Sequence, residues 1–213
     1  MKLIVISAIF CFLSSTSYGQ RFVPGACPVV DPPESFDKRK FFGHWIETEK
    51  TPSMFDLMMR CMTVEYADDK DGSIDVSIKG VSLGGIPVSI TGDGLIQDVS
   101  RAGFYNVRYG LGMPMQGTQV TIVDTDYSEY ALIYSCTNSL LSGLFHSEYI
   151  WLLSRDGTLS NPTRQNIYEK LDNLKINRSG LQLSDRTGCA SNVTREGDGD
   201  LASIQTTQLP IAQ

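Results

Sequence analysis

Short runs of apolar residues, broken at regular intervals by turn signals, cover most of the chain. Asp71-Gly72, Gly84-Gly85 and the segment Asp124–Ser128 are such turn signals. The pattern predicts eight strands at Trp45–Thr51, Met62–Ala67, Ser73–Lys79, Val88–Ile96, Gly103–Tyr109, Gln119–Val123, Tyr130–Thr137 and Glu148–Ser154. Eight short strands with tight turns indicate an all-β fold, an eight-stranded antiparallel up-and-down barrel, because closure removes the exposed edges of an open sheet.

One segment has helical spacing instead. Thr163–Leu174 places Ile167 and Leu171 on one face, and Asn161-Pro162 before it supplies a cap and a first-turn proline. We expect this helix to pack outside the barrel. A last short strand is expected near Leu181–Leu183.

The two ends of the chain differ from the middle. Residues 1–19 have a basic start, the apolar run Leu3–Leu13 and small residues up to Gly19, which predicts a signal peptide cleaved after Gly19. Residues 20–189 are expected to form one barrel domain. Residues 190–213 contain little to bury, which predicts a disordered tail. The protein is therefore expected to be secreted.

Charge and reactive residues exclude several classes of function. The net charge is -6 and there is no basic tract, which argues against nucleic acid and anionic membranes as partners. The cysteines left after the leader are even in number, which predicts two disulfides with three possible pairings: Cys27, Cys61, Cys136 and Cys189. Their spacing does not fit a metal site. His44 and His146 lack a neighbouring nucleophile motif, so no catalytic residue and no enzyme activity is predicted.

Three short motifs occur in a fixed order. They are Gly43-His44-Trp45, Thr125-Asp126-Tyr127, and Arg155 at the end of the apolar segment Tyr149–Ser154. Together they resemble the signature of the lipocalins, and the segments FFGHWIETEKTP and TDYSEYALIYSC are most similar to the apolipoprotein D, insect bilin-binding protein and crustacyanin branch. The resemblance implies structural roles for Gly43, Trp45, Thr125, Asp126, Tyr127 and Arg155, with the indole across the barrel floor and the guanidinium packed over it. It also implies the disulfides Cys27–Cys136 and Cys61–Cys189.

Strand alternation then predicts which side chains face the cavity. Disulfides that tie terminal segments to a barrel leave from its outer face, so the neighbours of Cys61 and Cys136 point inward. Arg155 fixes the inner face of the last strand in the same way. The aromatic positions agree with pocket positions that the resemblance implies, and an adaptable loop is expected to flank the mouth. The predicted ligand-binding residues are Met54, Phe55, Met62, Val64, Tyr66, Tyr105, Val107, Tyr109, Ile133, Ser135, Tyr149 and Trp151.

The resemblance implies reversible, non-covalent carriage of a small hydrophobic ligand, with no required cofactor. The implied ligands are bilins such as biliverdin, carotenoids, retinoids, sterols and fatty acids, and a pigment is favoured. Two alternatives stay open: the aromatic residues only fill a core, or the protein is an extracellular interaction protein. In the second case, the loop from Phe55 to Met59 contacts a receptor or a membrane, or the protein forms a homodimer. Two glycosylation sequons begin at Asn177 and Asn192.

Overall fold

The computed structural model describes residues 22–52, 59–69, 73–96, 101–110, 118–139 and 143–189. Eight of its strands form a closed antiparallel barrel, since each pairs with the next and the last pairs back with the first. They are β2 (Gly43–Lys50), β3 (Met59–Asp68), β4 (Ile74–Ser82), β5 (Pro87–Ile96), β6 (Phe104–Tyr109), β7 (Thr118–Thr125), β8 (Tyr130–Asn138) and β9 (Phe145–Ser154). The predicted fold class is confirmed. The predicted signal peptide and tail lie outside the described residues.

Two short strands extend the sheet beyond the barrel. β1 (Phe22–Pro24) pairs with β9, and β10 (Gln182–Leu183) pairs with β2. β10 lies beside Glu49 and Lys50, beyond the part of β2 that pairs with β3. After β10, the carbonyl of Asp185 accepts a hydrogen bond from the Cys61 amide at 3.0 Å. The C-terminal segment therefore bridges β2 and β3 and forms part of the wall.

Two disulfides fasten the terminal segments. Cys27–Cys136 ties the N-terminal segment to β8, and Cys61–Cys189 ties the C-terminal segment to β3. This is the pairing that the family resemblance implied. Each closes a loop of more than 100 residues, with sequence separations of 109 and 128, so both constrain the unfolded chain strongly.

The helices are α1 (Lys38–Phe41) and α2 (Asn161–Asn173), with a 3-10 turn at Arg178–Gly180. Ser160 caps α2, because its hydroxyl accepts a hydrogen bond from the Thr163 amide at 3.2 Å. The prediction that Asn161 is the cap was therefore wrong by one residue. Within the described residues, neither helix combines the length and the apolar character needed to cross a membrane.

Alternating side chains separate two apolar clusters on the two faces of the wall. The outer cluster packs α2 residues Ile167 and Leu171 against Leu132, Ile150 and Leu152. The inner cluster lies on the opposite face of the wall and includes residues from α1 and from seven of the barrel strands. Its members are Phe41, Trp45, Val64, Tyr66, Ile74, Val76, Tyr105, Val107, Val120, Ile122, Ala131, Ile133 and Leu153. The sheet is therefore buried on both faces where α2 covers it, and its inner face surrounds the barrel interior.

Bulges interrupt the alternation at defined places. The β3–β4 register shifts between Arg60 and Thr63, where Cys61 has a positive φ of 59°. The β2–β9 register shifts between Glu47 and Glu49. An extra residue in one strand reverses the facing of the residues beyond it. The side chains after Glu47 in β2 and before Thr63 in β3 therefore depart from strict alternation.

Candidate ligand-binding site

The floor of the barrel is closed by two side chains from opposite ends of the barrel sequence. Trp45 is fully buried, and its indole N–H donates to the Phe41 carbonyl at 2.9 Å. The Arg155 guanidinium carbon lies 3.6 Å from the centroid of the Trp45 ring. Its N–H groups donate to five backbone carbonyls, those of Lys40, Phe41, Phe42, His44 and Tyr127. The floor therefore combines a cation–π contact with a guanidinium that donates through all three of its nitrogens.

The Thr125-Asp126-Tyr127 motif forms the turn beneath this floor. The Asp126 carboxylate accepts hydrogen bonds from the backbone amides of Ser128, Glu129 and Tyr130, at 2.8–3.1 Å. Burial alone would raise the pKa of Asp126, but these N–H donors outweigh it and lower the pKa below its ordinary value. The Tyr127 hydroxyl accepts from the Asp37 amide at 3.0 Å, which ties the turn to the segment before α1. Gly43, with φ +99°, lies beside the Arg155 guanidinium.

Above the floor, the predicted ligand-binding residues of the described chain all turn toward the interior. Val64, Tyr66, Tyr105, Val107 and Ile133 belong to the inner cluster, against which Tyr109 and Trp151 pack. Ser135 and Tyr149 form the next inward pair above Ile133 and Trp151, and the Met62 sulfur lies beside inward-facing Gly80. The structure thus brings these side chains together in one compartment, while ligand binding by each stays a prediction. Met54 and Phe55 lie outside the described residues.

Hydroxyl groups are the main polar feature of this compartment. Ser135 is 2% exposed, and its oxygen has no hydrogen-bond partner in the described part of the chain. Burial raises the pKa of Tyr66 and Tyr105 above the ordinary value for tyrosine, and raises that of Tyr109 to about 12. The rings of Tyr149 and Trp151 stack with centroids 6.0 Å apart. Around these residues the compartment therefore presents neutral hydroxyls among aromatic and aliphatic side chains.

An ion pair in the wall was missed by the sequence analysis. Register places Glu47 beside Leu153 and Lys50 beside Trp151, on the inner face, and the two charged groups are 2.8 Å apart and buried. The Ser184 hydroxyl of the C-terminal segment donates to Glu47 at 2.8 Å. Strict alternation from Trp45 turns Lys50 outward, and only the bulge after Glu47 brings it inside. Met59, expected at the end of the mouth loop, is instead the first residue of β3, and its methyl group lies beside Gly80.

The groups considered for other chemistry lie on the outer face. His146 contacts the Gly25 carbonyl at 2.8 Å and Glu148 at 3.2 Å, and burial lowers the pKa of His44. No group of three or more metal-ligating side chains occurs in the described ranges.

Asn177 caps the 3-10 turn through its side chain, and Asn192 lies outside the described residues. Glycosylation at either residue stays a prediction.

A closed antiparallel barrel with an Arg–Trp floor, an aromatic interior and one outer helix defines a class of calyx-shaped proteins. The lipocalin-like domain profile matches residues 36–184. The chain belongs to the lipocalin family.

Relatives agree with the branch indicated by the sequence. Apolipoprotein D of Mus musculus is 30% identical over 189 residues, which cover 89% of this chain and 97% of the mouse protein. The crystal structure of insecticyanin from the tobacco hornworm Manduca sexta is 27% identical, with a TM-score of 0.69 over 80% of this chain and 91% of that one. Lobster apocrustacyanin A1, at 21% identity, supports the fold with a TM-score of 0.65 over 76% of this chain and 89% of that one.

Proposed function

We propose that this protein is a secreted carrier that reversibly binds one small hydrophobic ligand inside the barrel. The observation that supports this proposal is the interior itself: aromatic and aliphatic side chains line it above a closed floor, and the Ser135 hydroxyl among them has no partner in the described part of the chain. In a barrel interior that only fills a core, such a hydroxyl would lower stability, because burying an unpaired hydroxyl costs free energy.

The energetics are sufficient for carriage without a covalent bond. Burying about 300 Å² of apolar ligand surface at ~25 cal/mol/Å² contributes roughly 7 kcal/mol before association costs. A few hydrogen bonds from interior hydroxyls add about 0.5–1.5 kcal/mol each. Micromolar to nanomolar affinity follows from these contributions.

The proposed ligand classes are those that the family resemblance implies. They are bilins, carotenoids, retinoids, sterols and fatty acids, with a bilin or carotenoid pigment favoured by the similarity to the insecticyanins and crustacyanins. No further cofactor is required. Secretion is supported by the predicted signal peptide and by two disulfides, which persist in oxidising compartments.

An absorption spectrum from about 300 to 750 nm, with mass spectrometry of the organic extract, tests this proposal on protein from its native fluid. A visible band with a matching bilin or carotenoid mass supports pigment carriage. Fatty acids or sterols in a colourless sample support general lipid carriage. An empty extract, together with no uptake of any apolar probe by the purified protein, contradicts carriage.

A second candidate function is contact with another surface through the end of the barrel opposite the floor. Leu83 and Ile86 in the β4–β5 turn are 78% and 66% exposed, and Leu144 before β9 is 60% exposed. These turns lie at the end of the barrel opposite Trp45, where single exposed apolar residues can form part of a contact surface. The double change Leu83→Ser/Leu144→Ser distinguishes the two functions. If these leucines form a contact surface, the variant loses self-association or vesicle binding and keeps ligand uptake.

A further inference from the structure

Three interior tyrosines, Tyr66 on β3 and Tyr105 and Tyr109 on β6, form what we call the tyrosine cluster. The register connects two of them in one row across the inner face. Tyr66 lies opposite Val76, Val76 lies opposite Gly92, and Gly92 lies opposite Tyr109. Tyr105 is on the same face of β6 as Tyr109. The three side chains therefore enter the same part of the interior from two walls.

Gly92 leaves the space that the Tyr109 ring needs. A Cβ at this position would lie 2.8 Å from a ring carbon of Tyr109 and 2.7 Å from the Arg108 carbonyl oxygen. The Tyr109 ring thus lies over β5, on the side of Tyr66. This proximity of Tyr109 to Tyr66 agrees with the raised pKa of Tyr66. Burial is the largest cause of the increase, and Tyr109 and Tyr105 add to it.

The hydroxyls of this cluster differ from those of the other tyrosines in the wall. On the outer side, the hydroxyls of Tyr130, Tyr134 and Tyr168 donate to carboxylates at 2.6–3.1 Å. Within the described part of the chain, no hydrogen bond is made by the hydroxyls of the tyrosine cluster. Tyr66 and Tyr105 are nevertheless only 7% and 1% exposed. Such hydroxyls are expected to bind a partner that is not part of the protein.

The charge of the surroundings restricts that partner. Buried tyrosines with raised pKa values stay protonated at physiological pH, so each hydroxyl offers a proton. Of the described residues, only Tyr109 and Tyr105 add to burial in raising the pKa of Tyr66, and no cation lowers it. Lys50, a cation on the inner face, is already paired with Glu47 at 2.8 Å. A ligand carboxylate placed here would be a buried charge without a countercharge, which is costly.

We propose that the tyrosine cluster binds a neutral oxygen acceptor, such as a ketone or amide carbonyl, of an otherwise apolar ligand. Ser135, whose buried hydroxyl has no partner among the described residues, lies on the inner face of β8 and supplies a further donor along the same ligand. This inference rests on the carriage function and narrows its ligands to carbonyl-bearing molecules, at the expense of fatty acid anions.

The test uses one retinoid polyene prepared with three different ends: a methyl ketone, a carboxylate and a hydrocarbon. Binding to the full chain is followed by quenching of tryptophan fluorescence. The wild-type protein is compared with Tyr66→Phe/Tyr105→Phe/Tyr109→Phe, which removes three hydroxyls and keeps the rings. Tyr168→Phe is the matched control, because its hydroxyl bonds Glu49 on the outer face. Circular dichroism establishes that each variant is folded.

The wild-type protein is expected to bind the ketone roughly 10-fold more tightly than the other two forms. The triple variant should lose about that factor for the ketone only, and Tyr168→Phe should change none of the three affinities. Equal affinity for all three forms, or tighter binding of the carboxylate, overturns the inference while carriage stands. If no form binds, both fail. Should the triple variant not fold, Tyr109→Phe alone is expected to weaken ketone binding about 3-fold, and no change there overturns the inference.

Discussion

The floor of the barrel and the compartment above it are both rich in aromatic rings, but their polar groups are satisfied in different ways. At the floor, Arg155 and Trp45 use their donors on backbone carbonyls, and Asp126 accepts three amides. In the compartment, the Ser135 hydroxyl is buried without a partner in the described part of the chain, and the tyrosine cluster makes no hydrogen bond to the described residues. The difference separates groups that stabilise the fold from groups that are available to a ligand.

From this difference we expect that the motif residues of the floor do not contact a ligand. Gly43, Trp45 and Arg155 lie beneath the interior, and their contacts close it. In the proposed carriage function their role is therefore indirect, since a floor that admits water would expose the ligand. Changes at the floor should lower the free energy of unfolding, whereas changes in the compartment should alter affinity at nearly constant stability.

The largest effect is expected from Arg155→Ala. The change removes a cation–π contact and five hydrogen bonds to backbone carbonyls, so the free energy of unfolding should fall by about 3 kcal/mol or more. Urea unfolding followed by fluorescence measures the loss. Arg108→Ala, at an exposed position of β6, is the control. A loss below about 1 kcal/mol would show that the floor is not held by Arg155.

The two disulfides offer a matched pair for the next effect. Cys61→Ala/Cys189→Ala and Cys27→Ala/Cys136→Ala should each lower the free energy of unfolding by about 2–4 kcal/mol. Only the first variant frees the segment that carries Ser184 against Glu47 in the wall, so only it should also speed ligand release. Stopped-flow displacement measures the release rate. Equal release rates in the two variants would contradict a wall role for the C-terminal segment.

A smaller effect is expected from the acid titration of Asp126. Its carboxylate has a lowered pKa in the folded protein, so it stabilises the fold above the ordinary pKa of Asp, near 4. This stabilisation is lost as the pH falls through the lower, folded-state pKa. Asp126→Asn should therefore be less stable at pH 7 and lose less stability between about pH 5 and 2. Asp75→Asn, on the exposed side of β4, is the control, and parallel pH profiles for wild type and Asp126→Asn would refute the assignment.

The smallest change in stability is expected from Ser135→Ala in the ligand-free protein. The Ser135 hydroxyl has no partner in the described part of the chain, so its removal should leave the free energy of unfolding within about 0.5 kcal/mol or raise it slightly. Ligand affinity should fall about 3-fold. Thermal unfolding and probe titration measure the two quantities. A destabilised but fully binding variant would place Ser135 with the floor residues instead.

Strand periodicity predicted most of the compartment. Cys136 faces outward, and Ile133 and Trp151 face inward as the alternation requires, because β8 and β9 pair without a register shift. Tyr66 faces inward as predicted, although Cys61, from which the alternation was counted, lies within the bulge between Arg60 and Thr63. Local pattern is a good guide wherever the strand pairing is regular.

The remaining features depend on contacts that local pattern does not contain. Lys50 reaches the inner face only because β2 bulges after Glu47, and a bulge is set by the partner strand. The pairing of β10 with β2 and the position of Ser184 follow from a chain segment that returns after α2. Ser160 caps α2 because its hydroxyl reaches the Thr163 amide, a difference of one residue that spacing alone does not resolve.

Titration of the ligand-stripped protein with an apolar polyene tests carriage most directly. The chain has two tryptophans, Trp45 in the sealed floor and Trp151 against the compartment. We predict saturable one-to-one quenching that falls sharply in Trp151→Phe, where only the floor indole remains to report. Quenching that is linear and unsaturable, or equal in wild type and Trp151→Phe, would contradict a ligand inside the barrel.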